Sequence, residues 1–223
     1  MTLADQILTF YKKLKTPTAL PPGVAVMNPF QNPAIFELCE KFYSQFYSDS
    51  QPRKIIMGIN PGRLGGGVTG IPFTDPNKLE TICGIPNSLQ KKSELSADFI
   101  YTMIESFGGT QVFYSKFLFS SVCPLGFTKD GINMNYYDDK SLEKITRQFI
   151  ISSIQTQLKF SIDREICFCM GEGQNYKYLQ KLNSEYSFFK KIVPLPHPRF
   201  IMQYRRKKLQ EFVRFYVQKL RES

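Results

Sequence analysis

The chain of 223 residues predicts an α/β fold: a single-domain, three-layer α/β/α sandwich around a central four-stranded parallel sheet. Three observations predict it. Four short apolar runs, at residues 54–59, 112–122, 165–170 and 191–195, alternate with stretches of helical periodicity, as a parallel sheet with helical crossovers requires. Each run ends in a polar or Gly/Pro-rich turn. The length suits one domain, ~100–200 residues being usual, so residues 1–223 are read as one unit without linker or internal repeat.

Along the chain, Leu3, Ile7, Leu8, Tyr11 and Leu14 recur at helical spacing, and Thr16-Pro17 with Pro21-Pro22-Gly23 then stops the helix. A second helix covers residues 34–46, with Ile35, Leu38, Cys39, Phe42 and Phe46 on one face. The first strand, 54–59, runs into Asn60-Pro61-Gly62. A helix near 97–107 leads to the second strand, 112–122, which ends in the turn 121–125. Helices near 141–158 and 175–186 flank the third strand, 165–170, and its turn Gly171-Glu172-Gly173. The fourth strand, 191–195, ends in Pro196-His197-Pro198. The last 25 residues read as a basic amphipathic helix in which Arg205, Arg206, Lys207 and Lys208 precede a stripe of Leu209, Phe212, Val213, Tyr216, Val217 and Leu220. Ligands of open α/β sheets bind beyond the carboxyl ends of the strands, so the four turns are expected to line one crevice.

Composition narrows the partners. Hydrophobic residues make up 42%, with 20 Phe and 12 Tyr, so an aromatic-rich core is expected rather than disorder. There are 29 Lys+Arg against 19 Asp+Glu, a formal charge of +10, which suits a polyanion such as DNA. Five cysteines without framework spacing argue for a reducing compartment. No signal-peptide pattern or ~18-residue apolar span is present. The expectation is a monomer with no membrane partner, cytoplasmic in a bacterium or nuclear in a eukaryote.

The most informative segment is 58–73, with six Gly and two Pro after an apolar strand. So much glycine lets the backbone turn sharply and bring its amides close to a ligand. It lacks the Gly-Lys-Ser/Thr ending of a nucleoside-triphosphate loop, and Pro61 and Pro72 do not suit a dinucleotide turn. Gly58, Asn60-Pro61-Gly62, Gly65 and Thr69-Gly70-Ile71-Pro72-Phe73 resemble, without a gap, the first motif of the SMUG-type single-strand-selective monofunctional uracil-DNA glycosylases. Ser120-Ser121-Val122-Cys123-Pro124-Leu125 with Gly131-Ile132-Asn133, and then Pro196-His197-Pro198, resemble that family's later motifs in the right order. The likeness spans roughly residues 55–199. It implies a uracil-DNA glycosylase-like sandwich and a base-excision repair enzyme that flips uracil out of DNA and hydrolyses its glycosidic bond.

The resemblance also implies roles. His197, the only histidine, hydrogen-bonds uracil O2, where negative charge collects as the base leaves. Asn60 holds the hydrolytic water; a carboxamide takes no proton at neutral pH, so it orients rather than acts as base. Phe73 stacks on the flipped base, with Gly62 and Gly66 in the same wall. Asn133 reads the uracil edge, donating to O4 and accepting from N3–H, provided neighbouring backbone locks its amide; Asn135 is a rival for this role. Gly66-Gly67 replaces bulkier residues of the family beside C5 of the base, leaving room either for 5-substituted uracils as further substrates or for more water. The stretch after His197 is shorter than the family's, and Pro198, Arg199, Phe200, Arg205, Arg206 and Lys207 are the candidates for contacting DNA and filling the gap in the stack.

Other chemistries fit less well. Cys167 and Cys169 face one side of a strand, but with one His and no Cys-x-x-Cys pair no metal or cofactor is expected. A lyase needs an amine at the sugar, and the nearest lysine to the motifs is Lys129. A non-catalytic binder of damaged or single-stranded DNA has no need of a water-positioning amide. An enzyme of free nucleosides has no need of the +10 charge.

Overall fold

The computed structural model describes residues 1–17 and 19–223. Helix α1 (Leu3–Lys12) starts at a capping box in which Thr2 and Asp5 each accept the other's backbone N–H, satisfying two donors that a helix start leaves orphaned. Strand β1 (Val24–Met27) precedes α2 (Pro33–Phe46), which opens with Pro33 behind the Asn32 cap. Then come β2 (Arg53–Gly58), the short helices α3 (Gly66–Thr69) and α4 (Pro76–Thr81), α5 (Leu95–Phe107), α6 (Gly109–Tyr114) and β3 (Phe117–Ser121). A hairpin of β4 (Gly126–Lys129) and β5 (Ile132–Met134) leads into α7 (Lys140–Gln157), β6 (Ile162–Met170), α8 (Gln174–Tyr186) and β7 (Lys191–Leu195). The described chain closes with α9 (Pro198–Tyr204) and α10 (Leu209–Arg221).

The main sheet has the order β3-β2-β6-β7, parallel throughout. Alternate residues of β2 face opposite layers, as the pleat dictates. Ile56 joins the core under α1, α2, α5, α6 and α10, whereas Ile55 and Met57 join the core under α7 and α8. The crossover leaving β2 lies on the first face and those leaving β3 and β6 on the second. Connections therefore diverge at the carboxyl end of β2, the place where such sheets bind ligands.

Three features depart from the sequence reading. The run 112–122 is divided, with its first residues closing α6 and the strand beginning at Phe117. Phe113 and Phe117 stack at 5.2 Å in one core, so a continuous apolar run serves a helix and a strand alike. The basic C-terminal helix breaks at Arg205 (φ −131°, ψ 19°) into α9, a 3-10 turn over Arg206–Lys208, and α10. A second, antiparallel sheet, β1-β4-β5, is present. Its hairpin turns on Asp130 (φ 50°) and Gly131 (φ 75°), the two positive dihedrals of a tight I′ connection, for which Asp-Gly is a preferred pair.

Candidate active site

The loops beyond β2, β3 and β7 and the β4–β5 hairpin enclose a cleft of about 340 Å³, at the small end for a ligand pocket. Asn60, Gly62, Gly66, Phe73, Asn133 and His197 all line it, so the catalytic and base-binding candidates meet in one place. Asn135, Ser121 and Arg199 line it as well.

Phe73 forms its floor. Its φ of 55° is left-handed, a conformation that a bulky residue adopts only when its surroundings hold it there. The Thr69 hydroxyl accepts the Ile71 N–H at 3.1 Å and donates to the Thr74 carbonyl at 2.7 Å, fastening the turn from both sides. The ring lies over Gly58, where a Cβ would sit 2.7 Å from Phe73 Cζ, and tilts against Phe119 at 5.3 Å. The two glycines expected to widen the cleft do different things. Gly66 lines it, and a Cβ there would meet the Ile71 carbonyl oxygen at 3.2 Å. Gly67 is not among the lining residues; a Cβ there would sit 2.7 Å from the Gly62 carbonyl oxygen, so its bareness accommodates backbone and not a larger base.

Each polar candidate is oriented by main chain. Asn60 Oδ1 accepts the Tyr136 N–H at 3.2 Å while Nδ2 donates to the Met134 carbonyl at 3.2 Å, leaving a lone pair on Oδ1 for a water. Asn133 Oδ1 accepts the Arg63 N–H at 3.0 Å, which engages its oxygen with main chain and leaves Nδ2 as the free donor. Asn135 is turned to Asp138, whose carboxylate accepts both its side-chain and backbone N–H. His197 caps α9, with Nδ1 accepting the Arg199 N–H at 3.1 Å. Burial, reinforced by the nearby Arg199 charge, pushes the imidazole down to about 4. It is therefore neutral at physiological pH, and since Nδ1 is an acceptor the proton is on Nε2. The Tyr216 hydroxyl of α10 donates to the Pro196 carbonyl and ties down the same loop.

The rim is basic and aromatic. Arg199 lines the cleft, and Arg205, Arg206 and Lys207 are exposed beside it. Pro198 is buried as the first residue of α9; it starts the helix and offers no surface to DNA. Phe200 and Tyr204, 45% and 66% exposed, stand at the cleft mouth with ring centroids 5.6 Å apart, and Arg205 lies over Phe200 at 5.5 Å. Sequence reasoning did not single out Glu94 or Tyr204, both of which line the cleft. Tyr204 carried a faint signal, a large aromatic beside four consecutive cations. Glu94 carried none, being one acidic residue in a polar connection.

A parallel-sheet crevice with a stacking ring, two amides held by backbone and a neutral imidazole donor, inside a basic rim, defines a nucleic-acid enzyme that takes a base out of its stack. The chain belongs to the uracil DNA glycosylase superfamily, which it matches over residues 44–221. Among solved structures, the crystal structure of wild-type SMUG2 from Pedobacter heparinus is 48% identical, with a TM-score of 0.96 over 100% of this chain and 98% of that one. No curated protein sequence matches. The protein is thus a SMUG-type uracil-DNA glycosylase of base excision repair, and DNA is its substrate. No helix among the described residues is long and apolar enough to cross a membrane.

Proposed function

We propose that the cleft receives a flipped uracil and that His197 drives its departure. The carrying observation is the hydrogen bond from Arg199 N–H to His197 Nδ1, which leaves Nε2–H as a neutral donor toward the base. Uracil departs as an anion when the N1–C1′ bond breaks, its electron pair going to N1; a fixed donor at O2 lowers that barrier more than it stabilises the bound base. Asn60 holds the water whose oxygen bonds to C1′, and the water's proton passes to solvent. Phe73 stacks on the base and offsets the cost of unstacking, a few kcal/mol. Asn133, with its amide locked, donates Nδ2–H to O4, and Asn135 is occupied by Asp138. Arg199, Arg205, Arg206 and Lys207 hold phosphates, and Phe200 or Tyr204 fills the vacated stack.

Among the described residues no lysine lines the cleft, and Lys129 is exposed on β4, which favours hydrolysis alone with an intact abasic strand as product. The enzyme is read as one domain over residues 1–223, acting as a monomer in the compartment that holds DNA. The test uses end-labelled oligonucleotides, single-stranded and duplex, each with one uracil. Strand breakage only after hot alkali, lost in His197→Ala, supports the scheme. Breakage without alkali would mark a lyase, and full activity in His197→Ala would remove the imidazole from the mechanism.

A further inference from the structure

Glu94 is an acidic residue in a cleft whose reaction builds negative charge, and nothing in the scheme above uses it. It sits just before α5 and lines the same cleft as Asn133. A point one Cβ bond out from Gly62 is 3.3 Å from Glu94 Oε1 and 3.4 Å from Asn133 Nδ2, so the carboxyl and the amide converge on that glycine. The carboxyl also lies against Gly65, where a Cβ would displace it. The backbone N–H of Glu94 donates to Asp75 Oδ2 at 2.9 Å and fixes the residue's position. Among the described residues, neither carboxyl oxygen has a hydrogen-bond donor or an ion-pair partner, so a ligand can supply one.

We infer that Glu94 is a further residue of the base pocket and works as the neutral acid, its O–H donating to the flipped base beside Asn133 Nδ2. The inference rests on the reading that this cleft takes the base. The surrounding charges favour the acid. From α4 Asp75 faces it, and from α5 Asp98, itself paired with Lys78 at 2.7 Å; from α9 comes Arg199, and the β2 loop presents only the backbone of Gly62 and Gly65. Burial first, then Asp75 and Asp98 against the opposing pull of Arg199, push the carboxyl up to about 7. A DNA phosphate on Arg199 neutralises that opposing cation and pushes it higher still. Two adjacent donors accept a base with an oxo group at that edge and reject one with an exocyclic amine, the difference between uracil and cytosine. Once ionised, Glu94 can only accept, and it repels the departing uracil anion.

The experiment is single-turnover excision of uracil from a single-stranded oligonucleotide between pH 5.5 and 9, with wild type, Glu94→Gln, Glu94→Ala and His197→Ala. Wild type should slow between pH 6 and 8.5 as the acid is lost, by about 30-fold for a midpoint of 7 and by less as phosphate on Arg199 raises it. Glu94→Gln keeps a neutral donor, so it should lie within about threefold of wild type at pH 6 and lose the alkaline fall, while Glu94→Ala should be slow at both. A Glu94→Gln profile that keeps the wild-type fall, or a variant as slow as Glu94→Ala at pH 6, overturns the inference. Inactive His197→Ala alongside such a result leaves the base-pocket reading standing; fully active His197→Ala overturns that reading instead. The side-chain carboxyl carbon of Glu94, followed by NMR in the wild-type protein, gives a check without substitution: a midpoint near 7 supports the assignment and one near 4.5 refutes it.

Discussion

Lowering the pH perturbs His197, the only histidine of the chain. Its native imidazole protonates at about 4 against an ordinary 6.5. Between those values the unfolded chain binds a proton that the native protein does not, so stability falls as pH drops through that window and the loss is complete below about 4. At pH 5 the contribution lost is about 2 kcal/mol, at about 1.4 kcal/mol per pH unit. Glu94 opposes it: the native carboxyl, raised to about 7 from 4.5, binds a proton in that interval that the unfolded chain does not, so falling pH stabilises. The wild-type curve therefore mixes the two, and His197→Gln separates them. Urea unfolding of both proteins at pH 7.5 and pH 5 should show the wild type losing about 2 kcal/mol more than the variant. The imidazole nitrogens, read by NMR, should show one Nε2–H tautomer over the whole range. An imidazole doubly protonated at pH 5, or one with its proton on Nδ1, would refute both the stability argument and the neutral-donor mechanism.

Asn60→Ala should slow single-turnover excision by about 10²-fold while leaving the affinity for uracil-containing DNA within about twofold, because in the proposed scheme the amide orients water and does not hold the base; a matching loss of affinity would place Asn60 in base binding. Gly67→Ala drives a Cβ against the Gly62 carbonyl oxygen at 2.7 Å and should cost about 1–3 kcal/mol, read as a fall of several degrees in thermal midpoint, while an unchanged midpoint would mean that the loop yields freely. Replacing Arg206 and Lys207 together by alanine should weaken single-stranded DNA binding at every sequence and reduce the salt slope by about 0.7 for each phosphate that these two cations neutralise. An unchanged slope would move the DNA path off this cluster.

The four-stranded parallel sheet was legible because its strands are short apolar runs set between helical periods, and the candidate cleft because glycine, proline and polar residues crowd the ends of β2, β3 and β7, although the turn Gly171-Glu172-Gly173 after β6, expected to line it too, does not. What escaped has physical causes. The division of residues 112–122 turns on aromatic packing between Phe113 and Phe117, which the apolar pattern of either element would satisfy. The hairpin that delivers Asn133 was announced only by Asp130-Gly131, and its strands of four and three residues are too short to show alternation. The break at Arg205 has no proline or glycine to announce it, and the cations that precede the apolar stripe read as helix. Gly66 and Gly67 look equivalent in sequence, yet one lines the cleft and the other faces a carbonyl. Glu94 becomes visible only when folding sets it beside Gly65 and Asn133.

The ambiguities that sequence leaves in the chemistry share one resolution. An imidazole can bear its proton on either nitrogen, and a carboxamide can present either end, so naming His197, Asn60 and Asn133 does not say which face meets the substrate. In each case one backbone N–H decides it: Arg199 for His197, Tyr136 for Asn60 and Arg63 for Asn133. A peptide N–H can only donate, so each forces the atom it meets to be an acceptor: for His197 and Asn133 the opposite nitrogen is left as the donor, and for Asn60, whose Nδ2 is held by the Met134 carbonyl, the second lone pair of Oδ1 is left for a water. Two of these main-chain groups belong to the site loops themselves, since Arg63 follows Gly62 and Arg199 follows His197 by two residues. The loop that supplies one functional side chain thus also sets the polarity of a side chain in the cleft. Such orientation is established when the loops fold and needs no reorganisation when charge develops on the base, the condition under which fixed dipoles accelerate a reaction most. An insertion or deletion in either loop should therefore damage excision more than its distance from the base suggests, because it reverses a donor into an acceptor without removing any catalytic side chain.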